Sequence, residues 1–151
     1  MLIFSCKKTT QNPANDLFIG ANLQGMNWLA QPSSKYLAKG DSLQIQGFYA
    51  AADQYLVFKI GAISIGTDTL TKASQGSFYS ANGPNIAIIS NYQLDPSQVN
   101  TVTITDINWT TNIATGKFQL NFVKTSGAAT FSNTASFTNG QFWIQLPPAL
   151  E

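Results

Sequence analysis

The chain has 151 residues, 44% of them hydrophobic, which is enough for one domain with a sizeable core. Only 10% are charged, the net charge is +1 and arginine is absent, which argues against a nucleic-acid partner because phosphate binding needs clustered Lys or Arg. Histidine is also absent, so the chain lacks the commonest general base and the commonest transition-metal ligand.

The chain begins with a short apolar run that ends at its single cysteine. The segment Leu2-Ile3-Phe4-Ser5-Cys6 resembles the end of a bacterial lipoprotein signal, in which a small residue precedes the cysteine that receives the lipid. We therefore expect residues 1–6 to be the remnant of such a signal, with Cys6 as the lipidation site. The alternative is a cysteine that stands near the start by chance, and with one cysteine no internal disulfide can form.

The next segment is polar and shows no hydrophobic periodicity. We predict a flexible tether over residues 7–26, since Thr9 to Asn15 are polar and include Pro13. A single β domain is predicted over residues 27–148. Residues 149–151 form a tail in which Leu150-Glu151 is typical of a purification-tag remnant.

From Trp28 onward, apolar and polar residues alternate with a period of two, which predicts β-strands. In the first half we expect strands around Trp28 and over residues 42–50, 55–61, 77–80 and 85–93. In the second half we expect a four-stranded antiparallel meander over residues 101–108, 114–124, 129–138 and 141–146. Asn139-Gly140 between the last two strands predicts a type I′ hairpin turn, because both central residues of that turn need a positive φ.

The predicted fold class is therefore all-β, an antiparallel sandwich or barrel of about 8–10 strands with a C-terminal meander. Periodicity does not choose between a closed barrel and two packed sheets. The apolar side of the strands should form the core. The predicted core residues are Leu43, Ile45, Phe58, Val102, Ile104, Phe118, Leu120, Phe122, Phe142 and Ile144.

Six short motifs follow one another in a characteristic order and spacing. They are Trp28-Leu29-Ala30, Leu43-Gln44-Ile45-Gln46-Gly47, Gly66-Thr67-Asp68-Thr69-Leu70, Val102-Thr103-Ile104-Thr105-Asp106, Thr115-Gly116-Lys117-Phe118-Gln119-Leu120 and Phe137-Thr138-Asn139-Gly140-Gln141-Phe142. Together they resemble DUF6252, a domain of unknown function in uncharacterised Bacteroidetes lipoproteins. The resemblance covers most of residues 28–146. It implies a β fold and an envelope location, and it implies no activity.

The available side chains argue against an enzyme. A nucleophilic hydroxyl needs a base in reach, which in this chain could only be a lysine, and no Ser-x-x-Lys motif occurs in the body. A glycosidase needs two facing carboxylates, and a calcium loop needs several oxygens close together. No two aspartates lie within ten positions of each other. We expect no catalytic residues, no metal and no cofactor.

Four aromatic residues are candidates for a ligand site: Trp109, Trp143, Tyr79 and Tyr92. They lie near predicted loops or on the outer side of a strand, and exposed rings beside amide side chains suit the stacking of a sugar. The alternative for Trp143 is that it packs under a loop or in a second core face.

We expect a non-enzymatic cell-envelope lipoprotein that acts as a binding or interaction module. Its anchor would be a lipid on Cys6 in the outer membrane, facing the periplasm, because Lys7-Lys8 lacks the acidic residues that mark surface export. The expected partner is a glycan or an envelope protein. The two alternatives are a carbohydrate-binding accessory protein that uses Trp109 and Trp143, and a barrel that binds an apolar ligand.

Overall fold

The computed structural model describes residues 17–37, 42–83 and 87–148. These residues form ten β-strands and contain no α-helix, which confirms the all-β prediction. The strands are β1 (Phe18–Leu23), β2 (Met26–Tyr36), β3 (Leu43–Tyr49), β4 (Gln54–Ile60), β5 (Gly66–Thr69), β6 (Gly76–Asn82), β7 (Ala87–Leu94), β8 (Thr101–Asn108), β9 (Ile113–Gly127) and β10 (Thr134–Gln145). Within the described ranges, no helix has the length and apolar character needed to cross a bilayer.

Eight of the strands pair antiparallel into a closed, barrel-like ring. The order around the ring is β1, β2, β3, β4, β6, β7, β9 and β10, and β10 pairs again with β1. Strand β9 is 15 residues long, so one of its edges can pair with two different strands. Its first half pairs with β8 and its second half with β7, while β10 covers the other edge. Strands β8 and β5 therefore continue the sheet outside the ring.

The interior of the ring is filled by apolar side chains. All ten predicted core residues are buried, because each lies on the inner side of an alternating strand. Rings from opposite walls meet in the middle: the centroids of Phe58 and Phe118 are 5.4 Å apart, and those of Phe78 and Phe137 are 5.1 Å apart. Aromatic side chains thus occupy the space that an enclosed ligand would need, so the fold gives no support to the apolar-ligand alternative.

The domain begins earlier than the sequence predicted. Strand β1 lies inside residues 7–26, the range assigned to a tether, and its residues Ile19, Ala21 and Leu23 face the core. The strand is short and contains Gly20 and Asn22, so its period-two signal is weak. What makes it a strand is pairing with β2 and with the distant β10. Cys6, the rest of residues 1–16 and the tail 149–151 lie outside the described residues.

The prediction of two strands and a hairpin turn at the C-terminus is wrong. Strand β10 runs without a break through Asn139-Gly140. Asn139 does have a positive φ of 52°, but the register with β9 shifts between Phe137 and Gly140, so these residues form a β-bulge. A Cβ atom at Gly140 would lie 2.6 Å from Cδ2 of Phe118, so a larger residue would clash at this position. The C-terminal meander therefore has three strands, β8, β9 and β10.

Candidate functional site

Tyr92 lies in the core rather than at the surface. It is 4% exposed and points inward from β7, and its hydroxyl donates a hydrogen bond to the carbonyl of Ser132 at 2.8 Å. Burial raises the pKa of Tyr92. This placement corrects the prediction that Tyr92 borders a ligand site.

Tyr79 lies on the outer face of β6 in a row of three stacked rings. Its centroid is 4.7 Å from that of Tyr55, which is in turn 4.7 Å from that of Phe48. Burial, with Tyr55 beside it, raises the pKa of Tyr79. The rings cover one another's faces across β3, β4 and β6, so the row stabilises strand pairing and leaves less ring surface for a ligand.

Trp109 stands apart from the other aromatic candidates. It is 60% exposed in the turn between β8 and β9, where the Asn108 carboxamide oxygen accepts hydrogen bonds from the backbone of Thr110 and Thr111. It borders none of the three surface depressions that surround Gln141.

Trp143 lies on the outer face of β10. Three shallow depressions meet on this face at Gln141, and Trp143 borders the third of them. The first has a volume of about 320 Å³, the second about 340 Å³ and the third about 210 Å³. Gln141 borders all three, and we call the surface around it, on the outer side of β8, β9, β10, β1 and β2, the Gln141 face. Its outward side chains are those of Phe18, Asn22, Asn27, Leu29, Thr101, Thr103, Thr105, Thr115, Lys117, Gln119, Asn139, Gln141 and Trp143.

Strand register arranges these side chains in rows across the sheet. In the central row, Gln141 lies opposite Gly20 on one side and Lys117 on the other. In the next row towards the C-terminus of β10, Trp143 lies between Phe18 and Thr115. Directly opposite residues in a sheet have adjacent side chains, so those of Phe18 and Trp143 are neighbours beside Gln141.

A shallow apolar shelf borders Gln141 on the β1 side. Gly20 has no side chain, and a Cβ atom there would lie 3.4 Å from Cδ1 of Leu29 and 3.5 Å from Cδ2 of Phe18. These two side chains therefore lean over the glycine. Leu29 is 56% exposed, so the shelf is open to solvent.

The chemistry of the Gln141 face is neutral and rich in hydrogen-bonding groups. Among the described residues that line the depressions, Lys117 is the one that carries a charge, and the other polar side chains are amides and hydroxyls. In the described part of the chain, the indole Nε1 of Trp143 is buried without a hydrogen-bond partner, as is the hydroxyl of Ser90. An unpaired buried donor costs about 1–3 kcal/mol, and the Trp143 Nε1 atom has almost no surface that a ligand could touch.

The described carboxylates do not converge, and those of Asp68 and Asp95 accept hydrogen bonds from loop residues. Asp95 accepts hydrogen bonds from the hydroxyl and the backbone N–H of Ser97, which lower its pKa. Asp68 accepts one from the backbone N–H of Gly61 at 3.0 Å. Over residues 17–37, 42–83 and 87–148, no three His, Cys, Asp or Glu side chains are grouped so that they could hold a metal ion.

Sequence reasoning missed Phe18, Gln141 and Lys117. Phe18 was assigned to the tether, because the alternation of Phe18, Gly20 and Asn22 with three apolar residues is short and gives only a weak strand signal. Gln141 and Lys117 are ordinary outward strand residues. Only the pairing of β9, β10 and β1 brings them together.

No protein-family model, curated protein or solved structure matches the chain. The similarity to DUF6252 rests on the sequence motifs and stays a prediction.

Proposed function

We propose that this protein is a non-enzymatic binding module of the cell envelope and that the Gln141 face binds a neutral carbohydrate. One observation carries the proposal: three depressions meet at the exposed amide of Gln141, beside the side chains of Phe18 and Trp143, which lie opposite each other on β1 and β10. The proposed site therefore contains Phe18 and Trp143, whereas the site expected from the sequence contained Trp109 and Trp143.

The side chains of this face match the groups of a sugar. A carboxamide donates and accepts hydrogen bonds at once, as a sugar hydroxyl does, and threonine hydroxyls do the same. The rings of Phe18 and Trp143 supply apolar surface for the C–H face of a pyranose. A single lysine among the lining residues gives little reason for a phosphate or a polyanion to bind.

The envelope location is part of the same proposal and rests on the segment that ends at Cys6. A lipid there would hold the protein in the outer membrane, facing the periplasm. Strand β1 begins at Phe18, 12 residues after Cys6. A chain of that length reaches at most roughly 40 Å, so the anchor would keep the Gln141 face close to the membrane surface.

A glycan array compared across four proteins tests the carbohydrate site. The wild type should bind neutral glycans, Gln141→Ala and Trp143→Ala should lose about tenfold or more in affinity, and Trp109→Ala should bind like the wild type. Gln93→Ala is the matched control, because Gln93 is an exposed glutamine on β7 outside the depressions. Equal binding by all variants, or no glycan bound by any of them, would remove this function and leave a protein partner as the remaining candidate.

A further inference from the structure

We propose that the Gln141 face recognises a branched glycan, with the branch-bearing sugar over Gln141 and the sugars around it in the three depressions. The inference rests on the proposed function and deepens it, because it names the connectivity of the ligand. The arrangement of the depressions around Gln141, and not their size, supports a branched ligand.

The three depressions lie around a point and not along a line. The first and second share Asn139 as a border, the first and third share Lys117, and the second and third share Phe18. Gln141 is common to all three. In a groove for a linear chain, the two end subsites would have no bordering residue in common, whereas here every depression touches both of the others.

Strand pairing explains why the arrangement is triangular. Asn139 and Gln141 both project from β10, so the first depression opens towards β9 and β8 and the second towards β1 and β2. The third depression lies further along β10, at Trp143, and reaches strands on both sides of it. A ligand that crosses β10 at Gln141 can therefore extend in three directions.

The three depressions differ in chemistry, so each suits a differently presented sugar. The first is lined mainly by hydroxyl and amide groups, including Thr101 and Gln119. The second contains the apolar shelf of Leu29 and Phe18. The third contains the side chains of Trp143 and Phe18, and it is the depression most suited to stacking.

Titration calorimetry with matched pairs of neutral oligosaccharides tests the inference. Each pair has the same sugars and size, and one member is linear and the other branched; the pairs come from the gluco- and manno-oligosaccharide series. We expect the branched member of at least one pair to bind about tenfold more tightly than its linear isomer. If every pair that binds does so with equal affinity, or better when linear, the inference is overturned and the proposed function stands. If no oligosaccharide binds, both are overturned.

Variants separate a branched ligand from a merely larger one. Trp143→Ala should bring the affinity of the branched member down to that of the linear isomer, which the remaining two depressions can hold. Gln141→Ala should weaken both isomers, and Gln93→Ala should weaken neither. An equal loss for both isomers in Trp143→Ala would overturn the inference, and thermal unfolding of each variant checks that the fold is intact.

Discussion

Phe118 is the residue on which the packing of the ring can be tested most directly. Its ring contacts Phe58 from the opposite wall and it is 4% exposed. Phe118→Ala should lower the free energy of unfolding by about 3–5 kcal/mol, because it removes a ring whose space the walls cannot close. Denaturant unfolding measures this. Gln119→Ala, the exposed neighbour on the same strand, is the control and should change it by less than about 0.5 kcal/mol. A loss below about 1 kcal/mol in Phe118→Ala would mean that this position is not part of the core.

At the residue scale, alternation predicted the core well and the candidate site poorly. A period of two says which residues share a face, and apolar residues on one side, as in β8 and β9, identify the inner face. Strand β7 has Ile88 and Ile89 exposed near its start and Tyr92 buried, so its pattern is ambiguous and Tyr92 was placed wrongly. The candidate site depends on residues such as Phe18 and Gln141, which are far apart in sequence and come together only through the pairing of β1 with β10.

At the element scale, the Asn139-Gly140 segment shows where local sequence is insufficient. A hairpin turn and a β-bulge both use a positive φ at asparagine, so the dipeptide predicts the backbone angle without predicting what the chain does next. Here β9 is long enough to pair on both sides of the bulge, with Leu120 opposite Phe137 and Phe118 opposite Gly140. The length of β9 is therefore the reason why Asn139-Gly140 forms a β-bulge and not a hairpin turn.

The bulge can be tested at Asn139. Asn139→Val should destabilise the protein by about 1–3 kcal/mol more than Asn139→Gly, because a β-branched residue is strained at a positive φ and glycine is not. Denaturant unfolding of the two variants and the wild type measures the difference. Thr138→Val, one position earlier and without a positive φ, is the control. Equal stability of Asn139→Val and Asn139→Gly would contradict the bulge geometry.

At the scale of the whole molecule, the ring closes because the first strand pairs with the last. Strand β1 lies between β2 and β10, and without it both would have a free edge beside the apolar interior. The sequence predicted an all-β domain with a strand count near the observed one. It could not predict closure, since that depends on contacts between residues more than 100 positions apart, such as Phe18 and Trp143.

Two truncated chains test the contribution of β1. A chain of residues 17–148 contains all ten strands and should unfold cooperatively. A chain of residues 27–148, the domain boundary that the sequence suggested, should fail to fold or should aggregate, because it lacks the strand that joins β2 to β10. Circular dichroism and size-exclusion chromatography distinguish the two results. A monomeric, cooperatively folded 27–148 chain would show that β1 is dispensable.

The anchor is the remaining prediction, and it concerns how the molecule is held in the cell. If Cys6 carries a lipid, the full-length gene product in its native host should accumulate as an unprocessed precursor under globomycin, which blocks cleavage before a lipidated cysteine. Cys6→Ala should leave the protein out of the detergent phase in a phase-partition experiment, while the wild type enters it. The Gln141 face lies in the folded domain, so Cys6→Ala should retain the glycan affinity of the wild type, and this serves as the control for folding. Detergent partitioning that persists in Cys6→Ala would contradict the anchor and would leave the proposed binding site untouched, since the two rest on separate parts of the chain.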